Sequence, residues 1–249
     1  MLFDYGLTLV HFERPTAAIE AAQATINRCI AGAGHLAPGP ATLAAAIHDR
    51  VEAEVAAHEA GGALEEIDVA ALERAAFADI GLDLEEELRD RCSRIAQEAW
   101  FHGIHLYPEV VQVLRSLRDG ELRLGLCSNS AYRPASMREQ LHHVGLDALV
   151  DAAVFSGELG WRKPSPRIFR AALEAVGEAA DDTVFVGDRA REDVAGAHRA
   201  GMRAVLVQRA GTTGAAAAVD PEKPDAVVSS LAELPPLLLD HPLDDRWKD

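Results

Sequence analysis

The sequence has little that would tie it to a membrane, an oxidising compartment or a polyanion. Its 249 residues contain three cysteines, Cys29, Cys92 and Cys127. Their separations fit no metal-ligand spacing and provide no disulfide framework, so all three are expected to be small buried hydrophobes in a reducing compartment. No apolar run approaches the roughly 20 residues of a membrane-spanning helix. Asp4 lies so near the start that a signal peptide has no room before it, and a cytoplasmic location is expected. Basic residues are also scarce, with 24 Lys and Arg against 40 Asp and Glu and a formal net charge of −16. That charge repels nucleic acid and anionic membrane surfaces, although a local cationic pocket can still admit a small phosphorylated molecule. What remains is an ordinary globular composition, 49% hydrophobic and 26% charged, long enough for one domain or for a core with a smaller inserted one.

The chain opens on an apolar run that ends in Asp4, with a loop from Gly6 and Thr8 four residues after the acid. This is the pattern of a strand delivering a carboxylate to the edge of a sheet, though an aspartate in that place also serves as an ordinary turn or cap residue. From Pro15 to His105 the periodicity predicts helices over 16–31, 41–60, 69–80 and 84–101, punctuated by glycine and proline, and no strand. Beyond Tyr107 the pattern alternates. Helices are predicted over 110–117, 133–144, 168–176, 193–200 and 231–239, and strands over 122–127, 150–155, 183–186, 204–207 and 226–228. Such alternation implies a doubly wound parallel α/β sheet. The expected organisation is a Rossmann-like core of 1–14 and 106–249 with an α-helical cap domain, 15–105, inserted after the first strand.

Polar residues collect where the strands end. Ser128 and Asn129 follow the second strand, Lys163 lies beyond the third, and Asp188 follows the fourth with Asp193 five residues later. Singly these read as a turn, a solvated charge, a loop residue and a helix N-cap. Together with Asp4 they all follow consecutive strands, on the edge where open α/β sheets bind their ligands.

Four segments resemble the haloacid dehalogenase-like (HAD) hydrolases, in the subgroup with a helical cap after the first strand. They are Leu2-Phe-Asp-Tyr-Gly-Leu-Thr-Leu9, Gly125-Leu-Cys-Ser-Asn129, the stretch from Ser156 to Phe169 containing Gly160-Trp-Arg-Lys-Pro164, and the stretch from Val186 to Met202 containing Gly187-Asp-Arg-Ala-Arg-Glu-Asp193. The resemblance covers the core, while the helical block matches only in length and helicity. By position it implies that Asp4 is the nucleophile that becomes an aspartyl phosphate. It further implies that Ser128 and Asn129 bind the phosphoryl group, that Lys163 pairs with phosphate and nucleophile, and that Asp4, the Gly6 carbonyl, Asp188 and Asp193 hold Mg²⁺. The chemistry agrees, because a carboxylate attacking a phosphate dianion needs a cation at both reactants, and a covalent intermediate divides one hard displacement into two.

One departure stands out. The family's phosphatases carry a second aspartate two residues after the nucleophile as general acid and base, and here that position is Gly6, with Leu7 where glycine is usual. Glycine's conformational freedom makes a positive φ at Gly6 the expected reason for its presence. His11 is the nearest spare proton donor, or else a surface histidine at the cap hinge. The resemblance therefore implies a Mg²⁺-dependent phosphatase on a small phosphorylated metabolite, with two alternatives. One is a 2-haloacid dehalogenase, whose halide leaves without protonation; the other is a catalytically degenerate phospho-ligand-binding or interaction protein. Elsewhere, His102 and His105 are expected to pack with Trp100, Phe101 and Tyr107 between cap and core. The Gly-rich stretch 211–214 reads as a surface loop and 241–249 as a frayed tail.

Overall fold

Short strands with apolar residues on both faces dictate a sheet covered on both sides, and the computed structural model, which describes residues 1–209 and 223–239, has one. The strands are β1 (Leu2–Phe3), β4 (Gly125–Ser128), β5 (Ala152–Phe155), β6 (Val184–Gly187), β7 (Arg203–Val207) and β8 (Ala226–Val228). Their order is β5-β4-β1-β6-β7-β8, and every pairing is parallel. Adjacent residues on a strand point to opposite faces. Phe3, Leu126, Phe155, Val186 and Val205 accordingly enter one apolar cluster, with helix Val110–Asp119. Leu2, Cys127, Val154, Phe185 and Leu206 enter the other, with helix Pro166–Val176. The chain leaves β1 for β4 and β5 on one side and returns to β6, β7 and β8 on the other. The crevice beyond the carboxyl ends of β1, β4 and β6 is thus the switch point where such sheets take ligands.

Between β1 and β4 the chain builds a helical block from Thr16–Gly32, Pro40–Leu43, Arg50–Ala60, Val69–Asp79 and Glu86–Ala99, with the wide helical turn Ala44–Asp49 joining the second to the third. Its own apolar cluster holds Ile26, Ile30, Leu43, Ile47, Phe77 and Cys92. Cys92 and Cys127 are buried as expected, whereas Cys29 is only partly so, and all three are free. No described helix is long and apolar enough to cross a membrane.

The expectation of no strand between Pro15 and His105 fails at the block's exit. Strands β2 (Val10–Phe12) and β3 (Ile104–Leu106) form a two-stranded antiparallel ribbon, with His11 opposite His105. Three residues a side are too few for a period-2 signal, and the partners lie over ninety residues apart. The final helix of the block accordingly ends at Ala99, followed by the tight turn Trp100–Gly103. His11 stacks on His105 and Tyr107 at 5.3 and 5.2 Å between ring centroids, while Phe101 and His102 meet His143 on the core at 5.7 and 6.2 Å. The stretch 211–214 and the tail 241–249 lie outside the described residues.

The ribbon's close approach depends on Gly103. The Glu13 N–H donates to the Gly103 carbonyl at 2.8 Å, and a Cβ at Gly103 would overlap the Glu13 carbonyl oxygen and lie 2.8 Å from Pro15 Cδ. Gly103→Ala should destabilise the protein by about 1–3 kcal/mol, the usual cost of forced overpacking. A melting temperature equal to wild type would show that the ribbon is not held this tightly.

Candidate active site

The sheet's carboxyl edge gathers the residues that the strand endings pointed to. Asp4 follows β1 directly and is anchored through its N–H to the Val186 carbonyl at 2.8 Å. Lys163 is buried, and its ammonium donates to Asp4 Oδ1 at 2.6 Å and to Asp193 Oδ1 at 2.7 Å. Asp188 completes a cluster in which one oxygen from each of Asp4, Asp188 and Asp193 lies within 4.8 Å of the others. The Thr8 hydroxyl donates to Asp188 Oδ1 at 3.4 Å, which accounts for a wholly buried threonine in the first loop.

Charge in this cluster is out of balance, since three carboxylates share one ammonium. Burial and the repulsion of Asp4 and Asp193 push the Asp188 carboxyl up to about 7. Burial alone would lower Lys163, but Asp193 and Asp4 outweigh it and hold the ammonium charged. Burial also raises Asp193, against the pull of Lys163. Crowded oxygens that accept one another's company poorly are suited to a hard divalent cation. Both oxygens of Asp193 are already engaged, Oδ1 by Lys163 and Oδ2 by the Arg189 N–H at 2.9 Å. Asp193 sits inside the helical turn Ala190–Ala195 rather than capping a helix that begins there.

Ser128 is buried at the end of β4 and lines the cavity over Asp4. Asn129 lines it too, but its amide is committed to the backbone of the lysine, accepting from Lys163 N–H at 2.6 Å and donating to the Lys163 carbonyl at 3.2 Å. As placed, Asn129 aims Lys163. The preceding residue, Arg162, turns the other way into the helical block. Its guanidinium reaches Glu59 at 2.6 Å and Glu66 at 3.2 Å, with both Arg162 and Glu66 side chains almost wholly buried. Around it, Glu66 N–H donates to the Gly160 carbonyl and Arg162 N–H to the Leu64 carbonyl, each at 2.9 Å.

Gly6 does not have the left-handed backbone expected of it. The positive φ belongs to Leu7, at 61°, where the family's usual glycine would sit without strain. A Cβ at Gly6 would instead lie 3.2 Å from Phe12 Cε2, so an aromatic ring flanks the space into which a side chain at this position would grow. His11, on the opposite side of the ribbon from Phe12, is absent from the cavity wall among the described residues.

The cavity has a volume of about 400 Å³, within the ordinary range for small-molecule sites. It runs from Asp4, Ser128 and Lys163 up to His48, Glu52 and Gln97 in the helical block. Arg189 stands at its rim, where Asp4, Asp188, Glu59 and Glu192 raise its pKa against the effect of burial. Sequence reasoning missed Arg189 although the charge stood between Asp188 and Asp193, and it missed Arg162 and Phe12 as well.

Known proteins resemble this chain in sequence and in fold. The HAD-hydrolase-like family matches residues 160–234. The phosphoserine phosphatase of Thermus thermophilus is 40% identical over 121 residues, covering 49% of this chain and 45% of the relative. The glyceraldehyde 3-phosphate phosphatase of Methanopyrus kandleri is 32% identical over 130 residues, covering 52% and 55%. The chain thus spans about half the length of the curated relatives it matches. Among solved structures, a 2-haloacid dehalogenase from Pseudomonas syringae pv. Tomato superposes over 94% of this chain and 96% of its own, with a TM-score of 0.60 and 27% identity.

Leu7 generates a stability prediction. Leu7 is 38% exposed, so over half of it is covered, and the roughly 1–2 kcal/mol that a left-handed conformation costs a branched residue is set against about as much apolar burial. Leu7→Gly should therefore leave the melting temperature within about 2 °C of wild type. A clear fall in melting temperature would mean that Leu7's contacts outweigh its backbone strain.

Proposed function

The chain belongs to the haloacid dehalogenase-like hydrolase superfamily, and from that premise we propose a Mg²⁺-dependent phosphatase that works through an aspartyl phosphate on Asp4. The observation that carries the proposal is the buried Lys163 ammonium bonded at once to Asp4 and Asp193, beside a third carboxylate left without a cation of its own. Asp4 and Asp188, with the Gly6 carbonyl, would hold the Mg²⁺, and Asp193 would join them directly or through water. When bound, the ion neutralises phosphate and nucleophile together. The helical block serves as the cap that closes over the site.

Asp4 Oδ1 is occupied by Lys163, so its other oxygen attacks phosphorus while the bond to the leaving alkoxide breaks. The Ser128 hydroxyl donates to a phosphoryl oxygen, and Lys163 balances charge on the phosphoryl group and on Asp4 through both steps. Asn129 and Arg162 keep Lys163 in place from either side. Water then displaces the phosphoryl group from Asp4, releasing inorganic phosphate and restoring the carboxylate.

A second reading is favoured by Gly6 and by the likeness to a 2-haloacid dehalogenase. The three-carboxylate cluster speaks against it, because halide displacement has no use for a divalent cation there. A screen of phosphate esters and 2-haloacids, with and without Mg²⁺ and with Asp4→Asn as control, separates the two. Phosphate release that needs both Mg²⁺ and Asp4 is expected, whereas halide release without metal would establish the dehalogenase. Mg²⁺ should also raise the melting temperature of wild type and not of Asp188→Ala, since a ligand that binds only the native state stabilises it by mass action.

The leaving group generates a further prediction. With no acid at position 6 and His11 away from the cavity, the leaving oxygen departs without a proton from either. Acyl and nitrophenyl phosphates should therefore be hydrolysed far faster than alkyl phosphates. Gly6→Asp, which meets no positive φ and only the edge of Phe12, should accelerate the alkyl phosphates selectively, by up to about 10²–10⁴-fold. A wild type indifferent to leaving-group acidity would refute the idea of an enzyme without an acid.

A further inference from the structure

The far end of the cavity, inside the helical block, contains buried polar atoms with no hydrogen-bond partner. His48 Nε2, Glu52 Oε1 and Gln97 Nε2 are all of this kind, and all three residues line the cavity. His48 and Gln97 are only 4% and 9% exposed. They come from separate elements, His48 from the turn Ala44–Asp49, Glu52 from helix Arg50–Ala60 and Gln97 from helix Glu86–Ala99. Native interiors leave few such atoms unpaired, because each gives up the hydrogen bonds it had in water. With Tyr5 OH, Ser93 Oγ and Ser130 Oγ also unpartnered in the lining of the same cavity, these atoms mark where a ligand's own polar groups belong.

The charges here select the kind of group. The other oxygen of Glu52 is held by Arg14 at 3.2 Å, and Glu73, on the same wall, is held by Arg133 at 3.0 Å. Burial, with Arg14 nearby, lowers the pKa of His48 and keeps the imidazole neutral. Each carboxylate is thus paired with an arginine that it shares with a second acid, Asp49 at 3.0 Å from Arg14 and Asp90 at 2.9 Å from Arg133, and what the unpartnered atoms still lack is hydrogen bonds. A hydroxyl can donate to Glu52 and accept from the Gln97 amide at once. An ammonium cannot accept from Gln97, and a carboxylate cannot donate to Glu52 and would be repelled by it. Between these polar atoms the wall is apolar, with Ile47, Val51, Ala96 and Trp100 from the block and Phe12 from the ribbon, suited to a carbon framework.

We infer that the inner end of the cavity binds a neutral, polyhydroxylated framework, so that the substrate is the phosphate monoester of a polyol or sugar. This rests on the phosphatase reading for the end that holds the phosphoryl group.

The test holds the leaving group constant. Primary alkyl phosphates of one chain length, ending in hydroxyls, in an ammonium or in a carboxylate, are compared by kcat/KM with Mg²⁺ present. Their binding to Asp4→Asn is measured by calorimetry, and 4-nitrophenyl phosphate serves as the general phosphatase substrate. The hydroxylated ester should be preferred at least tenfold in both measurements. Gln97→Met, which keeps the volume and removes the donor, should reduce that preference about tenfold, as should His48→Leu. Equal treatment of the three esters, a preference for either charged one, or a preference that survives both substitutions would overturn the inference. If 4-nitrophenyl phosphate is untouched while Asp4→Asn still selects the hydroxylated ester, the phosphatase reading falls and the assignment of the cavity stands. Hydrolysis of all esters at one rate would instead uphold the phosphatase and overturn the assignment of the cavity.

Discussion

One buried ammonium holds the carboxyl edge of the central sheet together. Lys163 joins the end of the central strand to the turn after β6, bridging residues 159 positions apart in one direction and 30 in the other. A charge taken out of water is costly unless it is paired and hydrogen-bonded, and a cluster of carboxylates is costlier still without a cation among them. Lys163 and the three aspartates therefore make sense only as a set. The surrounding residues serve that set: Asn129 grips the lysine backbone from both sides, Thr8 faces Asp188, and the Arg189 N–H satisfies the remaining oxygen of Asp193. The glycine at 187 is part of the same arrangement, since any Cβ there would overlap the Asp193 carboxylate.

Much of this edge was legible in the sequence because parallel α/β folds place their chemistry at strand ends. Apolar runs closing in Asp4, Ser128 and Asp188 announce both the sheet and the residues it presents, and Lys163 sits in a segment specific enough to be recognised. What escaped reading was decided by packing across long separations. The ribbon of β2 and β3 is three residues a side, shorter than any period can reveal. Arg162 looks like a solvated charge beside Lys163 until the helical block brings Glu59 and Glu66 to it. The wall of the cavity depends on which helical faces turn inward, and the same stripe of residues supplies both the block's core and its polar lining. Gly6 and Leu7 illustrate a subtler limit. The sequence shows that this loop departs from its relatives, but not that the strained backbone has moved onto a leucine while the glycine makes room beside Phe12.

The cavity joins two environments with opposite electrostatic demands. Near Asp4 there is excess negative charge and a need for cations. In the helical block Glu52 and Glu73 are each paired with an arginine shared with a second acid, and buried polar atoms still lack hydrogen bonds. On the proposed reading, an anionic group fits near Asp4 only together with a bound cation, and a neutral one fits the end inside the helical block, with apolar walls between the two. The Arg189 guanidinium at the rim adds positive potential where an anion would first arrive, against the −16 of the whole chain.

Arg162 precedes Lys163 by one residue and is itself bound inside the helical block. The two side chains leave neighbouring backbone positions in different directions, one into the core's acids and one into the block's. They act as the two arms of a lever whose fulcrum is the chain between them. Any swing of the block large enough to admit a new molecule must strain the arm that Glu59 and Glu66 hold, and that strain is delivered to the peptide from which Lys163 extends. An uncovered Asp4 would then also be one whose counter-ion is out of position. If the block is the cap of the proposed function, water entering an open site would meet a carboxylate without its lysine, and the full arrangement would be assembled only once the block closed over a ligand.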